Sequence, residues 1–219
     1  MKRIGISFSE FHKKLAKGRE FPPIIKVPIL TISSWLFQGI LYMDRTERVF
    51  KILLDILFFV PFYCLILLFN CGIPGILVSF AMAHTLNWVF NSHIFVLMKN
   101  LNLKKTEPER FNQYLERLQK RIKSERSIIW AGVFGSLARG EFKETSDLDV
   151  RLVRKPGLIN GVRACFFAMR ERVWATIGKF PLDIYVLDNI GTTNRHIDKN
   201  EIGKVIVLYD PCKILKGVI

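Results

Sequence analysis

Two short stretches carry the residues best suited to chemistry. Val133-Phe134-Gly135-Ser136-Leu137-Ala138-Arg139-Gly140 is followed by Ser146-Asp147-Leu148-Asp149-Val150. The first sets a small-residue turn after an apolar run, and the second sets two carboxylates at alternate positions of another. Alternate residues of a strand share a face, so Asp147 and Asp149 project together. Two carboxylates held that close repel each other unless a cation lies between them. A Gly-Ser turn leading into a helix leaves backbone N–H groups free to meet phosphate. Either half alone describes a surface turn or a solvated acidic strand equally well. Joined, they point to metal-dependent phosphoryl or nucleotidyl transfer.

The elements that must position these groups are legible around them. Phe111, Tyr114, Leu115, Leu118 and Ile122 recur at helical spacing among charged residues, which predicts a helix with one buried face. A strand from Ile128 to Phe134 leads into the Gly-Ser turn, and a second strand runs from Leu148 to Val153. Leu158 to Ile177 reads as an amphipathic helix with Val162, Phe166, Met169, Val173 and Ile177 on its apolar side. Pro181 opens a third strand, Leu182 to Leu187, in which Asp183 is placed to join the first two carboxylates. A last strand spans Lys204 to Tyr209. Helices alternating with strands over this length predict one small mixed domain.

This region resembles the polymerase-beta-type nucleotidyltransferase superfamily, in particular its minimal prokaryotic members. The resemblance rests on Gly135-Ser136-Leu137-Ala138-Arg139-Gly140, on Ser146-Asp147-Leu148-Asp149, on Leu182-Asp183-Ile184 and on Val205-Ile206-Val207-Leu208-Tyr209. It implies an α+β nucleotidyltransferase fold, a small mixed sheet flanked by helices. It also implies catalytic, metal-binding roles for Asp147, Asp149 and Asp183, which would hold two Mg²⁺ (or Mn²⁺) ions. The nucleoside triphosphate, ATP or another, would fall on Gly135, Ser136, Arg139 and Ser146. Arg139 suits bidentate contact with a polyphosphate, and suits a salt bridge to a neighbouring acid as well. Leu137 departs from the aromatic or basic residue often found after the family's Gly-Ser.

The rest of the chain has another character. A net charge of +14 coexists with 50% hydrophobic residues, and the two are segregated along the sequence. Ile52 to Phe69 is almost wholly apolar, broken only by Asp55 and Pro61. Asn70-Cys71-Gly72 then marks a turn before a second apolar run, Ile73 to Met98. Helices of this length reach roughly the ~30 Å of a hydrocarbon core, and the short connection makes them antiparallel. Arg45, Arg48 and Lys51 precede the pair while Lys99, Lys104 and Lys105 follow it. By the positive-inside rule this predicts a multi-pass protein of the cell membrane with its N-terminus and C-terminal domain cytoplasmic. A hairpin buried in a soluble core is the competing arrangement.

The expected organisation is a basic amphipathic or interfacial segment (1–51), a transmembrane hairpin (52–98), a linker (99–110) and the catalytic domain (111–219). Lys2, Arg3, Lys13, Lys14, Lys17 and Arg19 accompany Phe8, Phe11 and Leu15, a mixture suited to anionic lipid or to an ordinary solvated helix. The uncharged run from Val27 to Met43 is read as a helix in the interface, with a third span left open. His84, Asn87 and Asn91 share a helix face. With Asp55 and His93 they form a candidate polar site in the membrane, either a headgroup notch or a set of inter-helix or inter-subunit hydrogen bonds. An Asp55 contact with His93 or Asn91 is expected. The hairpin also permits a homo-oligomer. The four cysteines lack metal-ligand spacing and read as small apolar fillers.

These features favour a membrane-anchored nucleotidyltransferase acting on an acceptor at the cytoplasmic surface, such as a lipid-linked sugar or polyprenyl phosphate. Nucleotide transfer to a protein, as in toxin–antitoxin pairs, is the second reading, and a non-catalytic nucleotide-binding membrane adaptor the third. The basic charge flanks apolar segments, which argues against a nucleic-acid partner.

Overall fold

The computed structural model describes residues 23–40, 43–69, 72–91, 107–141, 143–144, 146–192 and 204–213. The basic N-terminal segment, His93, Cys71 and most of the expected linker lie outside them.

Three apolar helices come first: α1 (Pro23–Phe37), α2 (Arg45–Leu67) and α3 (Gly72–Phe90). α2 starts well ahead of the apolar run and continues through Pro61. α2 and α3 are both long and apolar enough to cross a membrane, and only 11% and 33% of their most apolar windows are buried. Ile52, Leu53, Ile56 and Leu57 of α2 and Ile76, Leu77 and Val78 of α3 stand exposed. A core helix of a soluble domain buries such residues, so their exposure argues against the hairpin as core. α1 is shorter than a span requires. It lies against α3, where Trp35 donates to Thr85 (3.0 Å) and the Gln38 amide donates to the His84 carbonyl (2.8 Å).

The second body is a four-stranded sheet with helices. Its elements are α4 (Pro108–Ser124), β1 (Ile128–Phe134), the single turn α5 (Gly135–Ala138), β2 (Leu148–Arg154), α6 (Leu158–Ile177), β3 (Leu182–Leu187) and β4 (Ile206–Tyr209). The strand order is β3-β2-β1-β4. β1 runs antiparallel to β2 and β4, while β2 and β3 are parallel and joined through α6. Leu148, Val150, Leu152, Ile184 and Val186 are fully buried on one face with Phe111, Leu118 and Ile122 of α4 and Ala164, Phe167 and Ala168 of α6. Their alternation leaves Asp149, Arg151, Asp183 and Tyr185 together on the other. Trp130, Phe134, Val153 and Leu187 form a separate small cluster.

α6 spans the expected residues but is turned the other way. Val162, Phe166 and Ile177 point outward, and the sheet is met instead by Ala164, Ala168 and Ala175, while Gly161 lies against Thr46 of α2. Small residues let the helix approach the sheet closely, and two charged residues on the buried side are neutralised in place. Glu171 takes a bidentate contact from Arg121 of α4 (2.7 to 3.0 Å), and Arg172 pairs with Glu47 of α2.

The two bodies are joined along the open edge of β3. Glu47 accepts a hydrogen bond from the Val186 N–H (2.8 Å), and Asp44 accepts one from the Asp188 N–H (2.9 Å). Arg172 donates to the Ile184 carbonyl, and Asp188 in return accepts from the Thr46 N–H at the start of α2 (3.2 Å). A free strand edge and a free helix start thereby satisfy each other's backbone groups.

Candidate active site

Parallel pairing sets Asp149 beside Asp183 in register, and antiparallel pairing sets Asp149 beside Phe134, the last residue of β1. Asp147 precedes β2 by one residue and completes the cluster. Carboxylate oxygens of Asp147, Asp149 and Asp183 lie within 4.8 Å of one another. A set of hard oxygen donors at that separation fits divalent Mg²⁺ or Mn²⁺.

The turn after β1 is shaped by this cluster. Gly135 has φ +75°, and a Cβ there would stand 2.1 Å from Asp149 Oδ2. Only glycine meets both constraints, the left-handed backbone and the approach of the carboxylate. Ser136 follows, half-buried, at the start of α5. Arg139 is drawn aside: its Nε donates to Glu141 Oε2 at 2.8 Å, the salt-bridge arrangement. The Ser146 hydroxyl accepts the Lys143 N–H (3.0 Å) and the Ser146 N–H donates to the Lys143 carbonyl (2.8 Å), so this residue closes the loop leading to Asp147.

Arg151 belongs to the site and was missed in the sequence. It follows Asp149 by two residues, the same alternation that groups the aspartates, and that was the available signal. Its guanidinium lies 3.8 Å from Asp183 Oδ2 and 4.6 Å from the centre of the Tyr185 ring. Its buried Nε has no hydrogen-bond partner among the described residues. Burial works against the charge, but Asp183, then Asp149, Tyr185 and Asp147, outweigh it and hold the Arg151 pKa above its usual range. Burial, then Asp183, pushes the Tyr185 hydroxyl well above the usual phenol range. At neutral pH the site therefore contains the Arg151 cation and the neutral Tyr185 phenol beside three acids.

The polar residues of the hairpin do gather, in a different pairing from the expected one. Asp55 accepts from His84 Nδ1 (3.0 Å) and from the Asn87 amide (2.9 Å), and His84 Nε2 faces the Trp35 carbonyl (2.9 Å). Asn91 bonds instead to Asn87 (2.6 Å) and to Arg172 (2.9 Å). The early start of α2 explains the change: Asp55 sits nearly three turns along the helix, level with His84 and Asn87, while Asn91 is level with the foot. His93 lies outside the described residues. Of the cysteines, Cys165 is buried, whereas Cys64 and Cys212 are exposed rather than fillers of a core.

No curated protein matches the chain. Residues 115–205 match the family model described as a nucleotidyltransferase domain, a span that contains the glycine turn and all three carboxylates. The C-terminal part of this chain is thus a nucleotidyltransferase domain, and the protein is an enzyme of nucleotidyl transfer.

Proposed function

We propose that the protein is a membrane-anchored, Mg²⁺-dependent nucleotidyltransferase whose acceptor is presented at the membrane surface, in the manner of a lipid-linked sugar or polyprenyl phosphate. One observation carries this reading: the carboxylate cluster and the foot of the apolar hairpin share strand β3. Glu47, Asp44 and Arg172 grip β3 from Ile184 to Asp188, directly after Asp183, and Lys51 of α2 lies within electrostatic reach of Asp183. An acceptor anchored in the bilayer has a short path to that carboxylate.

In this reading Asp147 and Asp149 would hold the divalent ions on the triphosphate side, and Asp183 serves the acceptor side. Bound divalent ions would supply charge stabilisation to both the entering and the departing oxygen. Asp183 orients the acceptor hydroxyl or phosphate and is placed to take its proton. Gly135 and Ser136 offer backbone N–H groups and a hydroxyl to the polyphosphate. Arg139 exchanges Glu141 for phosphate when the nucleotide binds. The candidate polar residues Asp55, His84, Asn87 and Asn91 tie the hairpin to the catalytic domain through Arg172.

The full chain, reconstituted in vesicles of a membrane lipid extract with Mg²⁺ and each labelled nucleoside triphosphate in turn, is expected to label a lipid fraction. Asp147→Asn, Asp149→Asn and Asp183→Asn should each lower that labelling on the order of 10³-fold, the equivalent of several kcal/mol of lost charge stabilisation. Label in a protein band with none in lipid would instead support transfer to protein. Undiminished function of the Asp147→Asn and Asp149→Asn variants would leave a non-catalytic adaptor.

A further inference from the structure

Arg151 is built into the face of the sheet that carries the carboxylates. The strand registers set it between Gly132 of β1 and Tyr185 of β3, two residues along from the Asp149–Asp183 pair. The Tyr185 ring fixes the plane of its guanidinium at 4.6 Å, and Nη1 donates to the Val150 carbonyl at 3.0 Å. Its side chain is only 11% exposed. The positive charge therefore has a set place in the site and cannot be shed as a proton.

That charge falls on one acid in particular. Nη1 lies 3.4 Å from the Asp183 carbonyl, and Nη2 lies 3.8 Å from Asp183 Oδ2. The first is a long hydrogen bond, and the second is an attraction of charges without one. Asp149 leans the other way, against the glycine turn at Gly135. Three carboxylates gather in the cluster and one guanidinium offsets one of them, which leaves two negative charges, the equal of a single divalent ion. A second divalent ion on Asp183 would stand beside a guanidinium already fixed there, and like charges in a half-buried site repel strongly.

We infer that Arg151 takes the place of a metal ion at Asp183 in the nucleotide-free enzyme, so that Asp147 and Asp149 hold one divalent ion and Asp183 holds none. Arg151 is a positioning residue, acting on the reaction through Asp183. It keeps the acceptor-side carboxylate compensated while that side chain stays 28% exposed. The inference rests on the Mg²⁺-dependent reading of the three carboxylates.

Mn²⁺ binding to the full chain tests it without reference to turnover, in phosphatidylcholine vesicles and followed by electron paramagnetic resonance. Ions lost in an Asp147→Asn, Asp149→Asn double variant define those that belong to the cluster. The parent should hold one such ion, Arg151→Lys one and Arg151→Met two. Asp183→Asn should keep the parent's ion with its affinity changed by no more than about twofold, and should remove the second ion from Arg151→Met. Two cluster ions in the parent, or loss of its single ion in Asp183→Asn, would overturn the inference and leave metal dependence intact. An Arg151→Met variant that is folded by circular dichroism and still holds one ion would do the same. Should that variant not fold, the Asp183→Asn result decides alone. No cluster ion in the parent would overturn the Mg²⁺-dependent reading, and the inference with it.

Discussion

At Gly135 a missing side chain matters as much as the carboxylates themselves. The backbone is left-handed there and Asp149 occupies the space where a Cβ would go. Gly135→Ala should cost roughly 1–3 kcal/mol in stability from the strained backbone. By pushing Asp149 away, it should also lower transfer about 100-fold, which thermal melting and single-turnover labelling would measure separately. Arg151 acts in the opposite sense, as a cation among acids. Arg151→Met leaves Asp147, Asp149 and Asp183 to repel one another, so the variant should melt lower in chelator than the parent. Added Mg²⁺ should raise its melting temperature by more than it raises the parent's. Equal Mg²⁺ shifts in the two proteins would exclude this role for Arg151.

The connection between the two bodies is made by elements, through the edge of β3. Glu47 and Arg172 are both buried, and each also bonds the backbone of β3. Glu47→Ala would leave Arg172 buried beside fewer acceptors and the Val186 N–H without its carboxylate. Removing one member of such a pair typically costs about 3–5 kcal/mol, and a loss of this size should be seen on chemical denaturation. In a double-mutant cycle with Arg172→Met, the second substitution should add little to the first. At the other side of α6, Arg121→Ala should behave similarly through Glu171, although the partial exposure of Arg121 makes its loss smaller.

At the scale of the whole molecule, the apolar hairpin is part of the catalytic domain's structure. The open edge of β3 has its backbone groups satisfied by Asp44, Glu47 and Arg172, two of which come from the hairpin side. A chain beginning at Glu107 would expose that edge to water and to other strands. Such a truncated protein should melt roughly 10 °C or more below the full chain and should self-associate, as read by thermal melting and light scattering. A truncated domain as stable and monodisperse as the full chain would mean that the β3 contacts contribute little.

The pattern of strands, of the helix from Leu158 to Ile177 and of the acidic pair was legible because it is local. Side chains alternate with a period of two in strands and about 3.6 in helices, so spacing alone groups Asp147 with Asp149 and marks the apolar runs. Asp183 was legible for the same reason, since it opens a strand recognisable by itself. Which face of α6 turns inward was not. That choice depended on Arg121 and Glu47 neutralising Glu171 and Arg172, partners 50 and 125 residues away in sequence. The fit of Gly135 against Asp149, the place of Arg151 among the acids and the pairing of Asp55 with His84 likewise arise only when separate elements are packed. Periodicity carries the elements, while burial and charge pairing across the chain decide how they meet.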